Sequence, residues 1–277
     1  MLKLGHIIYS NTVPVHAGII SGAVKFPFTL VEGIPTELNR LLFEGGLDVS
    51  PSSSIEFAAN PGRYLIMPGF SITSRNNAMS IILQSRLPMD QLNGKTVALT
   101  TASATSVVLL RILLELKNRV SPNYTHFEQG KDLPYDRADA VLLIGDHALK
   151  RPRVEGFDHE YDLGGVWHEF TGLPFVFALW QINYKKSIEI ELASLYHILR
   201  ESKVYGLSHL PDLAQEHANR FGIPAPKLLE YWNSFSFDFG PQEQKGLLTY
   251  YGYAAEIGAV RPVTELRFWE QSQQERS

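Results

Sequence analysis

The feature that most constrains this chain is an alternation in its first half, where short β-branched apolar runs are each followed by a polar turn and a helix-like stretch. "LKLGHII" leads into "YSNTVPVHAGII", "GGLDVS" into "PSSSIEFAAN", "GKTVALT" into "TASATSVVLLRILLELKNR", and "RADAVLLIGD" into "HALKRP". Strands alternating with helices predict an α/β protein built on largely parallel sheet, with ligands beyond the carboxyl ends of the strands. In this chain those ends are rich in hydroxyl side chains.

The second half changes period. Residues 187–277 read mainly as helix, in the segments "SIEIELASLYHILRESKVYG", "LPDLAQEHANRFG", "PKLLEYWNSF" and "PQEQKGLLTYYGYAAEIG". Gly206, Gly222 and Gly258 stand where these helices are expected to stop, with Pro224 and Pro262 beyond two of them. Two extended segments, 78–88 and 175–183, bracket a region with strands and helices of its own. They predict an inserted second lobe: residues 1–83 with 179–277 form one lobe and 84–178 the other, joined by a hinge across a cleft. That is the type II periplasmic-binding-protein architecture.

Composition removes several function classes. The chain has no cysteine, which excludes disulfides, thiolate nucleophiles and cysteine-ligated metals. Its nine histidines make no close metal-binding spacing, so no metal is expected. A net charge of -4 argues against nucleic acid as a partner, because phosphate binding needs a clustered basic surface. The apolar runs are too short to span a bilayer and the start lacks a secretory hydrophobic region. The expectation is a cytoplasmic protein with no membrane partner and no set oligomeric state.

Any anion must therefore be held locally. Thr100, Thr101, Ser103, Thr105 and Ser106 crowd one strand-to-helix turn, where unpaired backbone N–H groups and the helix dipole favour a carboxylate or phosphate. A helix cap accounts for one hydroxyl. Ser50, Ser52, Ser53 and Ser54 repeat the construction, and Ser52 or Ser53 is the candidate for a ligand. Tyr9, Ser10 and Asn11 end the first strand, where Asn11 offers a donor and an acceptor or simply forms the turn. Asp146 follows Gly145 at another strand end, either as a helix cap or as a substrate contact. Trp167 and Phe175 are candidates to wall an apolar pocket or to fill the core. No dinucleotide or Walker loop and no nucleophile elbow is present.

Six ordered blocks carry a resemblance over roughly the first 185 residues: "GHIIYSNTVP", "EGIPTELNRLLFEGGLDVSPSSSIEFA", "SII" after "SITSRNNAM", "VALTTASATSVVLLRILL", "DAVLLIGDHAL" and "YDLGGVWHEFTGLPFVFALW". Together they resemble the menaquinone-biosynthesis chorismate dehydratase family of the futalosine pathway. The resemblance implies conversion of chorismate to 3-[(1-carboxyvinyl)oxy]benzoate and water, without a cofactor. It places the family's active-site asparagine, in its Tyr-x-Asn motif, on Asn11, the hinge serine on Ser80, and the second-lobe ligand turn on Ser103 to Ser106. The chain departs from the family pattern at Ser74-Arg75-Asn76-Asn77, where a glycine is usual, and Arg75 brings a cation to the cleft edge. Three other readings share the fold: a non-enzymatic binding protein for a small carboxylate, the sister dihydroxynaphthoate-forming enzyme, and a ligand-sensing regulatory domain.

Overall fold

The computed structural model describes residues 1–183 and 188–270; the last seven residues of the helical reading lie outside them. Two sheets organise the chain. The first has the order β11-β4-β10-β3-β1-β2, from β1 (Lys3–Ile7), β2 (Thr29–Gly33), β3 (Val49–Ser53), β4 (Tyr64–Ser74), β10 (Phe175–Asn183) and β11 (Phe235–Ser236). The second has the order β7-β6-β8-β5-β9, from β5 (Ile81–Ser85), β6 (Thr96–Thr100), β7 (Asn123–Phe127), β8 (Ala140–Ile144) and β9 (His159–Asp162).

Direction within the sheets follows from the route of the chain. β1 runs parallel to β2 and β3, and β6 runs parallel to β7 and β8. β10 is antiparallel to β3 and β4, and β5 is antiparallel to β8 and β9. The parallel strands deliver their carboxyl ends to the space between the sheets. A strand that arrives from the other sheet starts at that same end and must run the opposite way, so β5 and β10 are reversed. These two strands are the segments expected to cross between lobes, but each lies wholly inside one sheet. The passages are 75–80 and the stretch between Asp162 and Phe175, so the boundaries read at 83 and 179 fall within strands.

The helices form where the periodicity places them. α1 (Val13–Ile20) and α2 (Pro35–Glu44) carry proline in their first turn, where its missing N–H would be unpaired in any case. α3 (Ser54–Ala59), α4 (Ala104–Ile112), α5 (Gly145–Leu149) and α6 (Leu163–Thr171) follow strands. The helical second half supplies α7 (Glu189–Ser208), α8 (Leu210–Phe221), α9 (Ala225–Ser234) and α10 (Pro241–Glu256). No helix among the described residues is long and apolar enough to cross a membrane.

Gly222 ends α8 in the left-handed conformation expected of a C-terminal glycine, at φ 61°. Gly206 does not end a helix. It lies inside α7, where α1 comes so close that an added Cβ would sit 2.0 Å from the carbonyl oxygen of Pro14. Alanine is favoured over glycine in a helix by about 1 kcal/mol, whereas forced overpacking costs about 1–3 kcal/mol. The obstacle is backbone and cannot rotate away, which puts the overpacking cost at the top of that range, so Gly206→Ala is expected to lose up to about 2 kcal/mol net. A urea unfolding midpoint that stays level or rises would show that the two helices separate without cost.

Candidate functional site

A cavity lies between the two sheets, at the carboxyl ends of their parallel strands. The first sheet contributes Tyr9 and Asn11 after β1, Ser53 at the end of β3, and Phe177 on β10; Ser80, Ser103, Ser106 and Gly145 come from the other side. The wall is otherwise aliphatic and aromatic. Among the described residues no Lys, Arg, His, Asp or Glu lines it, so an anion there depends on hydroxyls, amides and backbone N–H groups.

Asn11 sits in a 3-10 turn, Ser10–Thr12, held from three sides. The Ser10 hydroxyl donates to Asp146 at 2.5 Å and the Ser10 N–H to the same carboxylate at 3.2 Å. Thr12 Oγ1 donates to the Ile7 carbonyl at 2.7 Å, and Trp232 Nε1 to the Ser10 carbonyl at 2.9 Å. Between these anchors Asn11 Oδ1 is buried with no hydrogen-bond partner among the described residues. An orphan polar atom costs about 1–3 kcal/mol, which a bound donor would offset.

Ser80 is fixed along its backbone. Its carbonyl accepts the Gly145 N–H at 2.8 Å. The preceding Met79 is left-handed at φ 61°, a strained position for a residue with a side chain. The carboxylate of Asp162 stabilises it, accepting the N–H groups of Ala78 (2.8 Å), Met79 (2.6 Å), Gly164 (2.9 Å) and Gly165 (3.2 Å). One aspartate thus ties both passages between the sheets together.

The hydroxyl-rich turn divides its labour. Ser103 caps α4, its Oγ accepting the Ser106 N–H at 3.3 Å, and the two hydroxyls lie 3.0 Å apart on the cavity wall. Thr105 instead accepts the Ile55 N–H at 3.2 Å, joining α4 to α3. Thr101 is exposed, and its N–H pairs with the Phe127 carbonyl. On β3 the alternation of the strand puts Ser53 on the cavity and Ser52 away from it, fully buried with a hydroxyl that has no partner among the described residues. Ser54 is committed to the Val176 carbonyl at 2.7 Å.

The remaining candidates take supporting places. Ser10 and Asp146 hold each other behind the wall rather than lining it. Burial raises the Asp146 carboxyl above its ordinary range, against the hydrogen bonds from Ser10. Phe175 packs in the core, its ring centroid 5.3 Å from Trp167 and 4.9 Å from Tyr250; Phe177, two residues on, reaches the cavity. Arg75 lies in a separate open depression with Asn76, Asn77 and Asp238. Tyr9 lies flat on Gly145, where an added Cβ would come within 3.1 Å of the ring. Burial, Asp146 and Glu37 push its hydroxyl up to about 12.

Sequence reasoning missed what the helical half does for this site. Adjacent residues on α9 hold both candidate groups: Tyr231 donates to Ser80 Oγ at 2.8 Å, and Trp232 to Ser10. Adjacent residues on α10 hold two helix starts, Tyr250 donating to the Thr105 carbonyl at 3.1 Å and Tyr251 to the Ser54 carbonyl at 2.5 Å. In sequence these aromatics look like ordinary core residues; only their paired Tyr-Trp and Tyr-Tyr placement hinted at polar work.

The chorismate dehydratase of Thermus thermophilus is 33% identical over 260 residues, covering 88% of this chain and 92% of that protein. The chorismate dehydratase of Campylobacter jejuni is 28% identical over 188 residues, 66% of this chain and 69% of that one. Among solved structures, the periplasmic aliphatic sulphonate binding protein SsuA of Escherichia coli superposes with a TM-score of 0.67 at 14% identity, covering 100% of this chain and 94% of that one. At that identity the likeness concerns the fold alone. A family model described as menaquinone biosynthesis matches residues 2–256, and the chain belongs to that family, on a periplasmic-binding-protein-like fold.

Proposed function

We infer that the protein is a chorismate dehydratase, forming 3-[(1-carboxyvinyl)oxy]benzoate and water. One observation carries the reading beyond the family: the cavity pairs the unpartnered carboxamide of Asn11 and the hydroxyl of Ser80 with the Ser103/Ser106 helix start, inside apolar walls. Chorismate has two carboxylates, a ring and a leaving hydroxyl, which suit an anion site beside neutral hydrogen-bonding groups.

The reaction breaks the ring C3–H and C4–O bonds, and aromatisation drives it. Among the described residues no ordinary general base lines the cavity, and the Tyr9 hydroxyl, pushed up to about 12, keeps its proton at neutral pH. The substrate's own enolpyruvyl carboxylate is therefore the base in this reading. It takes the C3 proton and passes it to the departing C4 hydroxyl, which leaves as water, while Asn11 and Ser80 orient both groups.

The test is to incubate the purified chain with chorismate and follow the dehydrated aromatic product by mass spectrometry. Saturable binding without product would select a non-enzymatic receptor for a small carboxylate. Inertness toward chorismate, in binding and turnover alike, would remove the reading. Replacing Ser103 and Ser106 together by Ala deletes two hydroxyls from the anion site. Because a hydrogen bond to a charged group contributes about 1.5–3 kcal/mol, chorismate affinity should fall at least about tenfold. Thr105→Ala, which cuts the tie to α3, should lower the melting temperature instead; the opposite assignment would reverse the roles given to these residues.

A further inference from the structure

Tyr231 is fully buried on α9, and its hydroxyl makes one hydrogen bond among the described residues, the 2.8 Å contact to Ser80 Oγ. A phenol has a single proton to donate. Once that proton occupies a lone pair of Ser80, the serine's own proton must point elsewhere, and no described residue accepts it. Ser80 lines the cavity. Its backbone is already fixed by the Gly145 N–H on its carbonyl and by Asp162 on the residues before it. The rotation of its side chain is the freedom that remains, and the phenol restricts it.

We propose that Tyr231 is a positioning residue that sets the polarity of Ser80, holding its hydroxyl as a donor toward a substrate oxygen. This rests on the reading of Ser80 as an active-site group and adds a substrate requirement: the atom facing Ser80 is an acceptor, a carboxylate oxygen or the departing hydroxyl. Burial first, then the negative charges of Asp146 and Asp162, raise the Tyr231 phenol far above its ordinary range, so it keeps the proton it donates at every working pH. The ring is separately held against Phe235, centroids 5.0 Å apart, so Tyr231→Phe removes the donor and leaves the packing.

Without that donor Ser80 is free to turn or to donate to the wrong partner. Tyr231→Phe is therefore expected to lower kcat for chorismate about tenfold with KM within about twofold, at an unchanged folded fraction. Ser80→Ala should lose about a hundredfold. In the Ser80→Ala background, adding Tyr231→Phe should cost less than about twofold more, because the phenol then has no serine to orient. A kcat for Tyr231→Phe within twofold of the parent, beside an impaired Ser80→Ala, would overturn the positioning role and leave the site intact. A full tenfold loss recurring in the Ser80→Ala background would also overturn it, since Tyr231 would then act by another route. Full activity of Ser80→Ala itself would instead remove Ser80 from the site, and this inference with it.

Discussion

Asn11→Ala is expected to lower the turnover of chorismate by about a thousandfold, the upper end of what removing one preorganised hydrogen-bonding group costs. The residue stands in a turn whose backbone is held without its side chain. Ser10 is anchored to Asp146 and Trp232, and Thr12 to the Ile7 carbonyl. Truncation should therefore leave the turn in place and the melting temperature within a few degrees, while the group facing the substrate is lost. Binding should weaken much less than turnover if the carboxamide acts mainly on the transition state. Asn11→Asp is the sharper control. It keeps the shape but sets a carboxylate against a dianionic substrate, and should bind chorismate more weakly than the alanine variant. Near-normal turnover by Asn11→Ala would reject the site, and a loss matched by unfolding would make Asn11 a turn former only.

The second large effect is a loss of stability in acid. His6 on β1 and His16 on α1 face each other in the core, with their Nδ1 atoms 2.7 Å apart and His16 edge-on to Trp180. Burial, with a further push from Arg220, lowers His6 from 6.5 to about 4; burial and His6 lower His16 well below its ordinary value. The folded protein thus resists protonation that the unfolded chain accepts near pH 6.5. The stability associated with neutral imidazole is present above that pH and is lost progressively as pH falls toward 4, amounting to about 3 kcal/mol for His6 alone. Asp146 and Glu56 act in the opposite sense, since burial raises both carboxyls. The informative measurement is therefore a difference. Urea midpoints between pH 7.5 and 4.5 should fall steeply for the parent and much less for the His6→Gln/His16→Gln double variant. Equal slopes would assign the acid sensitivity elsewhere.

Much of the architecture was legible because it is written in local periodicity. Strand-turn-helix alternation predicted an α/β protein with largely parallel sheet, and helical spacing in the second half predicted α7 to α10, because amphipathic patterns repeat within a few residues. Caps were equally local: Ser103 for α4 and Gly222 for α8 act through neighbours three or four residues away. The two segments read as crossings proved to be the two strands that begin at the cleft. Their extended, apolar character was visible, but whether they join the sheet before or after them depends on pairing partners more than fifty residues distant.

Within the site, the sequence by itself determined that hydroxyl-rich turns lie at strand ends, that a family resemblance runs through them, and that any anion must be held without a basic cluster. Tertiary structure alone decided which hydroxyls meet the cavity. Period-two alternation says that Ser52 and Ser53 face opposite sides, but only packing against α2 and β10 says which side is the cleft. Phe175 and Phe177 share a face by the same alternation, their rings 4.6 Å apart, yet only Phe177 reaches the cavity, and Thr105 is spent on the N–H of Ile55. Gly206 reads as a helix stop until α1 arrives against it, and Tyr231 reads as core until Ser80, 151 residues away, comes within 2.8 Å. Local propensity acts over a turn or two of chain, whereas these contacts join groups brought together only by burial of the whole fold, and nothing in the neighbouring residues encodes them.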